Sequence, residues 1–317
     1  MKRFFKISGI VVGSIVLLLL IAVGYIHLAG IPSYTVKAPD LQIHGDSAMI
    51  AEGARIGGVL CGNCHMSANG LMEGQRMVDI PKMFGKIWTP NITHHPNSKL
   101  AGYTDGELAY LLRTGVKRDG KYAPPYMIKL PLMSDEDLFS IIAWVRSDAK
   151  EFQPSDVVQP KPKPSLLVKF LSRVAFKPFP YPEQTVVAPS PDNKVAYGQY
   201  VANARFGCFG CHSGDFTKVD DLHPEKSFGF YGGGTEVLDL EGNSVYTANL
   251  TMDPETGLGS WTEEQFVTTV RRGLRPDGIS LRYPMIALPA ITEEECSAIW
   301  AYLQTVPVIK NEVDRQW

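Results

Sequence analysis

The chain has 317 residues, 44% of them hydrophobic and 20% charged, with a formal net charge of −2. That length suits about two domains with real cores, and the near-neutral balance argues against a nucleic-acid binder working through a basic field. Four of the five cysteines fall in two short motifs and Cys296 is left over, which excludes a disulfide framework.

Lys2, Arg3 and Lys6 precede an apolar run of 23 residues, Ile7 to Ala29, without a formal charge. A run of that length crosses a bilayer as a helix, and the basic residues hold its start in the cytoplasm. Residues 1–30 are therefore predicted to be a single-pass anchor in a bacterial cytoplasmic membrane, with the rest of the chain on the periplasmic side. Ala22-Val23-Gly24 has the small-x-small form of a signal-peptidase site, so a cleaved signal is the alternative. The run continues past that site, and signal h-regions are shorter. Ile31 to Gln42, broken by Pro32 and Pro39, reads as an extended spacer off the membrane.

Ser47 to Leu60 has apolar residues at helical spacing and runs into Cys61-Gly62-Asn63-Cys64-His65. The same pattern recurs as Cys208-Phe209-Gly210-Cys211-His212. Two thiols three residues apart share one turn, where both can form thioether bonds to the vinyl groups of a haem while the adjoining His reaches the iron. A lone Cys-x-x-Cys also fits a redox dithiol or half of a zinc site. The adjoining His and the duplication favour covalent haem c at each motif, two in all, and assembly outside the cytoplasm.

Past a loop region at Ser67–Lys86, a repeat is readable at an offset of 158 residues. Thr89-Pro90-Asn91-Ile92-Thr93 aligns with Thr247-Ala248-Asn249-Leu250-Thr251. Thr104-x-x-Glu107 aligns with Thr262-x-x-Gln265, each a capping box opening a helix, and each helix stops at a glycine, Gly115 or Gly273. Ser134-x-x-Asp137 and Thr292-x-x-Glu295 open the last helices. The Cys-x-x-Cys-His motifs lie only 147 residues apart, so the second repeat carries 11 extra residues. These fall in Lys218–Gly242, which reads as a surface excursion. The predicted architecture is all-α: anchor 1–30, first domain 31–148, Pro-rich linker 149–190, second domain 191–317. Asp148–Pro191 holds nine prolines and reads as stiff. Within it, Leu166–Leu171 with Lys169 and Arg173 reads as a segment packed across the domain seam; a membrane-surface contact is the alternative, less favoured because the basic amphipathic pattern is short.

His65 and His212 each supply one axial bond. Thioether sulfur favours Fe(II) and is a candidate for the opposite position. Of 10 methionines, Met127 and Met285 coincide across the repeat, each opening Met-Ile-x-Leu-Pro. Pro125 and Pro131, or Pro284 and Pro289, bound them and stiffen the loop. Met133 aligns with Ile291 and reads as packing. The candidate set is thus Cys61, Cys64, His65 and Met127, with Cys208, Cys211, His212 and Met285. Thr89, Asn91 and Thr93, with Thr247, Asn249 and Thr251, are either donors to haem propionates or ordinary loop bonds. Arg113 and Arg271 either pair with propionates or favour helix C-termini. Trp144, Tyr302 and Cys296 read as core, and His44, His94, His95 and His223 as spare exposed histidines.

Each half resembles the class I cytochrome c domain: an N-terminal helix, Cys-x-x-Cys-His, a Met loop and a closing helix. Thr-Pro-Asn-Ile-Thr, then Trp261-Thr262, Arg271-Arg272-Gly273 and Tyr283-Pro284-Met285, resemble the cytochrome subunits of membrane-bound alcohol, aldehyde and gluconate dehydrogenases. This chain has two motifs where those subunits commonly have three. The resemblance implies two tandem all-α haem domains that relay electrons between a dehydrogenase or respiratory complex and a downstream acceptor, without catalysis by the chain itself. The rival readings are a dihaem enzyme, such as a peroxidase or thiosulfate dehydrogenase, and a structural haem subunit of a larger respiratory complex. No nucleic-acid partner is expected.

Overall fold

The structure is a computed structural model that describes residues 2–314. Met1, where the anchor begins, and 315–317, the end of the predicted second domain, lie outside the described residues. Helix α1, Lys2–Ala29, is apolar and none of it is buried. In the first repeat, α2 is Ser47–His65, α3 Asp105–Thr114 and α4 Asp135–Arg146. Helix α5, Leu166–Val174, stands in the predicted linker. In the second repeat, α6 is Lys194–Gln199, α7 Cys208–His212, α8 Glu263–Arg272 and α9 Glu293–Leu303. The described residues are helix-rich, as an all-α reading expects, and add two small antiparallel pairs: β1 (Gly85–Lys86) with β2 (Lys163–Pro164), and β3 (Glu236–Leu238) with β4 (Ser244–Tyr246).

The helix ends follow the sequence signals. Reciprocal capping boxes open α3, α8 and α9, and Gly115 and Gly273 close α3 and α8 in the left-handed region at φ 78° and 73°. The opening and closing helices of each repeat cross at a glycine. A Cβ on Gly53 of α2 would lie 1.8 Å from Ser140 O of α4, and one on Gly198 of α6 the same distance from Ala298 O of α9. Backbone contact this close brings Ile56 and Ile141 into one core, and Val201 and Ile299 into another. Burying an aliphatic side chain of that size is worth roughly 1.5–3 kcal/mol.

The connecting segments lie against the first repeat. Tyr34 N–H donates to Gly120 O at 2.8 Å and Tyr122 N–H to Pro32 O at 3.0 Å, so the predicted spacer is extended but zipped to the body. The Pro-rich segment wraps the same repeat: Phe152 is buried, Gln159 Nε2 donates to Gly74 O at 2.8 Å, and Asp135 N–H donates to Val186 O at 2.8 Å.

Two expectations change. Helix α5 packs on the end of α1 and on the first repeat at 82–86, and does not serve as a seam filler. The Gly232–Gly234 stretch is not a surface excursion. Gly233 N–H donates to His212 O at 2.9 Å, as Gly74 N–H does to His65 O at 2.8 Å, and Tyr231 is fully buried. Gly233 is therefore the counterpart of Gly74, and the extra residues lie before it: the interval from His212 to Gly233 is 12 residues longer than that from His65 to Gly74. The sequence offset alone had no anchor in that interval.

The repeats meet at a buried ionic seam. Arg205, on the π-helical turn Tyr200–Arg205, donates from Nε and Nη2 to Asp137 at 2.7 and 2.9 Å, and from Nη1 to Glu295. Arg55 of α2 grips both oxygens of Glu295 at 2.7 Å. Tyr200 OH donates to Asp137, and Ser134 N–H donates to that hydroxyl at 3.0 Å. Asp137 and Glu295 are counterparts in the repeat, so one guanidinium faces the first turns of both closing helices.

Candidate haem sites

Each Cys-x-x-Cys-His motif forms a helical turn, but the two arrive differently. Helix α2 runs unbroken through Cys61, Cys64 and His65. In the second repeat the chain passes from α6 through the π turn and is reset by Gly207 at φ 63° before α7 carries Cys208, Cys211 and His212. The surroundings then converge. His65 Nδ1 lies 3.1 Å from Pro90 O and His212 Nδ1 lies 2.8 Å from Ala248 O, at aligned positions. Such a bond fixes the tautomer and ring orientation and makes Nε2 the candidate ligand atom. Thr89 Oγ1 donates to Cys64 O, and Thr247 Oγ1 to Cys211 O at 2.8 Å.

In the second repeat Cys208, Cys211, His212 and Met285 line one cavity of about 310 Å³. Its other walls are mainly apolar, with Leu250, Trp261, Phe266, Ile299 and Leu303 among them. An apolar slot with two thiols, an imidazole and a thioether fits a covalent haem, and Arg275 on the lining suits its carboxylates. In the first repeat the loop of Met127 is held by the same backbone bonds. Leu130 N–H donates to Leu112 O at 2.7 Å, as Leu288 N–H does to Val270 O at 2.8 Å. Ala123 N–H donates to Gly115 O at 2.7 Å, as Leu281 N–H does to Gly273 O at 2.6 Å. Met133 and Met72 are fully buried in hydrophobic clusters, as gap-filling methionines should be.

Burial pushes the thiols of Cys61 and Cys208 up to about 12, helped by the neighbouring motif thiol, and that of Cys64 up to about 11. A redox dithiol works through a lowered pKa, the opposite direction to the one these thiols take. A structural zinc site needs four ligands. Among the described residues no group of three or more His, Cys, Asp or Glu side chains gathers to hold a metal. Burial also lowers the pKa of His65, against the Pro90 bond that raises it, and favours the neutral imidazole a metal requires.

The secondary candidates have structural partners. Asn91 Nδ2 donates to Ser155 O and Val157 O at 2.8 and 3.0 Å, and Asn249 Nδ2 to Ile309 O at 2.7 Å. Each Asn side chain also accepts from Thr93 or Thr251, so these residues tie the trailing segment to the loop. Arg113 is fully buried and donates to Leu130 O and Met133 O and to Asp135. Arg271 likewise donates to Ile291 O at 2.9 Å and to Glu293. Both lock the Met loop to the closing helix. His94 is not spare: it stacks on Phe152 and bonds Val145 O at 2.7 Å. Trp144, Tyr302 and Cys296 are buried as expected.

Sequence reasoning missed Arg275. Its signal was available, because Lys117 aligns with it and both repeats therefore place a cation there. It also missed Val59 of α2, which lines the cavity of the second repeat, and Tyr283, whose hydroxyl donates to Asp79 of the first repeat at 2.6 Å. The Met loop of one repeat thus packs on the motif helix of the other.

No family model matches the chain. It is 26% identical, over 83% of its length and 57% of the relative's, to the cytochrome c subunit of a quinone alcohol dehydrogenase from Gluconacetobacter polyoxogenes. It is 26% identical, over 78% of its length and 50% of the relative's, to the fructose dehydrogenase cytochrome subunit of Gluconobacter japonicus. A shorter match, 31% identical over 39% of the chain and 26% of the relative, is to the gluconate 2-dehydrogenase cytochrome c subunit of Pantoea cypripedii. The chain spans a little over half the length of the alcohol dehydrogenase subunit it matches. These three relatives are named as cytochrome subunits of dehydrogenases.

Proposed function

We propose that the chain is a membrane-tethered c-type cytochrome with two covalent haems, relaying single electrons from a dehydrogenase subunit or respiratory complex to a downstream acceptor. The observation that carries this reading is the cavity shared by Cys208, Cys211, His212 and Met285, together with the matching loop and histidine bonds of the first repeat. A haem bound at each site supplies a one-electron Fe(III)/Fe(II) couple.

The chain's own residues do the rest. The four motif thiols are the attachment points. His65 and His212 present Nε2, held by the carbonyls of Pro90 and Ala248. Met127 and Met285 would supply the thioether ligands to the two irons, Met285 from the cavity wall it shares with His212. The apolar walls of the second cavity keep water away, and Arg275 offsets carboxylate charge there. Val59 and the Tyr283–Asp79 bond join the two sites across the seam. The exposed apolar surface of α1 is the tether, with the haem-bearing repeats on the periplasmic side. The relatives' names support a dehydrogenase as the donor.

Mass spectrometry of the denatured protein tests the haem count: two additions are expected, and one in the Cys61→Ala/Cys64→Ala double variant. A single addition in wild type refutes the two-haem reading. A high-spin iron that binds peroxide readily would replace the relay with an enzyme.

A further inference from the structure

Helix α5 has no part in the haem sites, yet it carries three distinct faces. Val168 and Ser172 are buried against the body. Leu166, Phe170 and Val174, spaced four apart, form an exposed apolar stripe, 38%, 43% and 56% accessible. Lys169 and Arg173 flank that stripe and reach the end of α1. Lys169 Nζ donates to His27 O at 3.2 Å and Arg173 Nη2 to Gly30 O at 2.9 Å. The Arg173 guanidinium also lies over the Tyr25 ring, 5.3 Å from its centroid.

These bonds fix the depth of α5. Helix α1 has 28 residues and is about 42 Å long, against a hydrocarbon core of about 30 Å. Its last turn therefore stands at the outer lipid–water boundary, where an aromatic ring beside a basic side chain is the usual anchor. Carbonyls 27 and 30 belong to that turn or adjoin it, and α5 is pinned to both. Met83, 62% accessible, adds apolar surface beside the helix, on the short turn Lys82–Phe84 whose Phe84 O accepts from Ser165 N–H, the N-cap of α5.

We infer that α5 is a second membrane contact: an interfacial helix whose Leu166–Phe170–Val174 stripe lies in the headgroup–acyl boundary of the bilayer that holds α1. The inference rests on the tether reading of α1. The occupant is lipid because the stripe is continuous with the anchor's end and flanked by cations that suit anionic headgroups. The contact gives the haem-bearing body a fixed orientation to the membrane, which a single spanning helix does not.

The test uses the full haem-loaded chain in vesicles of phosphatidylethanolamine and phosphatidylglycerol. Single variants Phe170→Cys, Val174→Cys, Leu17→Cys and Val158→Cys carry a bimane label, with the wild type as the labelling blank. Lipids bearing a shallow doxyl group and aqueous iodide serve as quenchers. Labels at 170 and 174 are expected to lose most of their intensity to the doxyl lipid and little to iodide, with 158 showing the reverse. If 17 is lipid-quenched while 170 and 174 respond to iodide like 158, the interfacial helix is wrong and the tether stands. If 17 itself responds only to iodide, the tether reading falls and this inference with it. Labels at 170 and 174 shielded from both quenchers mean that protein covers the stripe, which also overturns the inference.

Discussion

Arg205→Met tests whether the ionic seam joins the repeats. Arg205 is 5% exposed, and Asp137 and Glu295 are 4% and 2% exposed. Glu295 keeps Arg55 when Arg205 is lost, but the Asp137 carboxylate loses both of its guanidinium bonds and, among the described residues, keeps the Tyr200 hydroxyl. A buried carboxylate stripped of its cation costs about 3–5 kcal/mol. With a urea slope of about 2 kcal/mol/M, the unfolding midpoint falls by about 2 M. The assay is urea denaturation of the holoprotein in detergent, followed by far-ultraviolet circular dichroism. Arg205→Met/Asp137→Leu removes both partners and should recover much of the loss, since an apolar pair of similar volume replaces a buried ion pair at little cost. A single variant within about 0.5 kcal/mol of wild type refutes the reasoning, because such a change is typical of an unconstrained surface site.

Met285→His should lower the reduction potential of one haem in a redox titration, because imidazole lacks the preference of thioether for Fe(II), whereas Met133→Leu should leave both potentials in place. Gly198→Ala forces a Cβ to within 1.8 Å of Ala298 O and should cost about 1–3 kcal/mol or more in thermal or urea unfolding; Gly58→Ala, with nothing within 4 Å, should be neutral or slightly stabilising. Glu295 lies below the usual carboxylate range: burial pushes it up, but Arg55, Thr292 N–H and Arg205 outweigh that. Its folded pKa is thus depressed, so its contribution is present above the unfolded value of about 4.3 and is lost as pH falls through the folded one. Urea midpoints measured from neutral pH downward should drop below about pH 4, and Glu295→Gln should flatten that slope.

The sequence by itself determined whatever is written locally. The apolar run of α1, the capping boxes at Thr104, Thr262 and Thr292, and the glycine stops at 115 and 273 were legible because each is a contact within one turn of helix. The candidate ligands were named from the fixed spacing of the two Cys-x-x-Cys-His motifs and from the repeat, which singles out Met127 and Met285 among ten methionines. Tertiary structure decided what joins distant segments. Arg205 serves Asp137 and Glu295 across 68 and 90 positions, and Val59 lines a cavity built by the other repeat. Arg113 and Asn91, open in the sequence between haem and backbone, were assigned to backbone because carbonyls of the Met loop and the trailing segment arrive beside them. The physical reason is that hydrogen bonding within a turn leaves a period in the sequence. A side chain that meets its partner through the packing of whole helices leaves none, and its role is set by where the crossing at Gly53 or Gly198 places the closing helix.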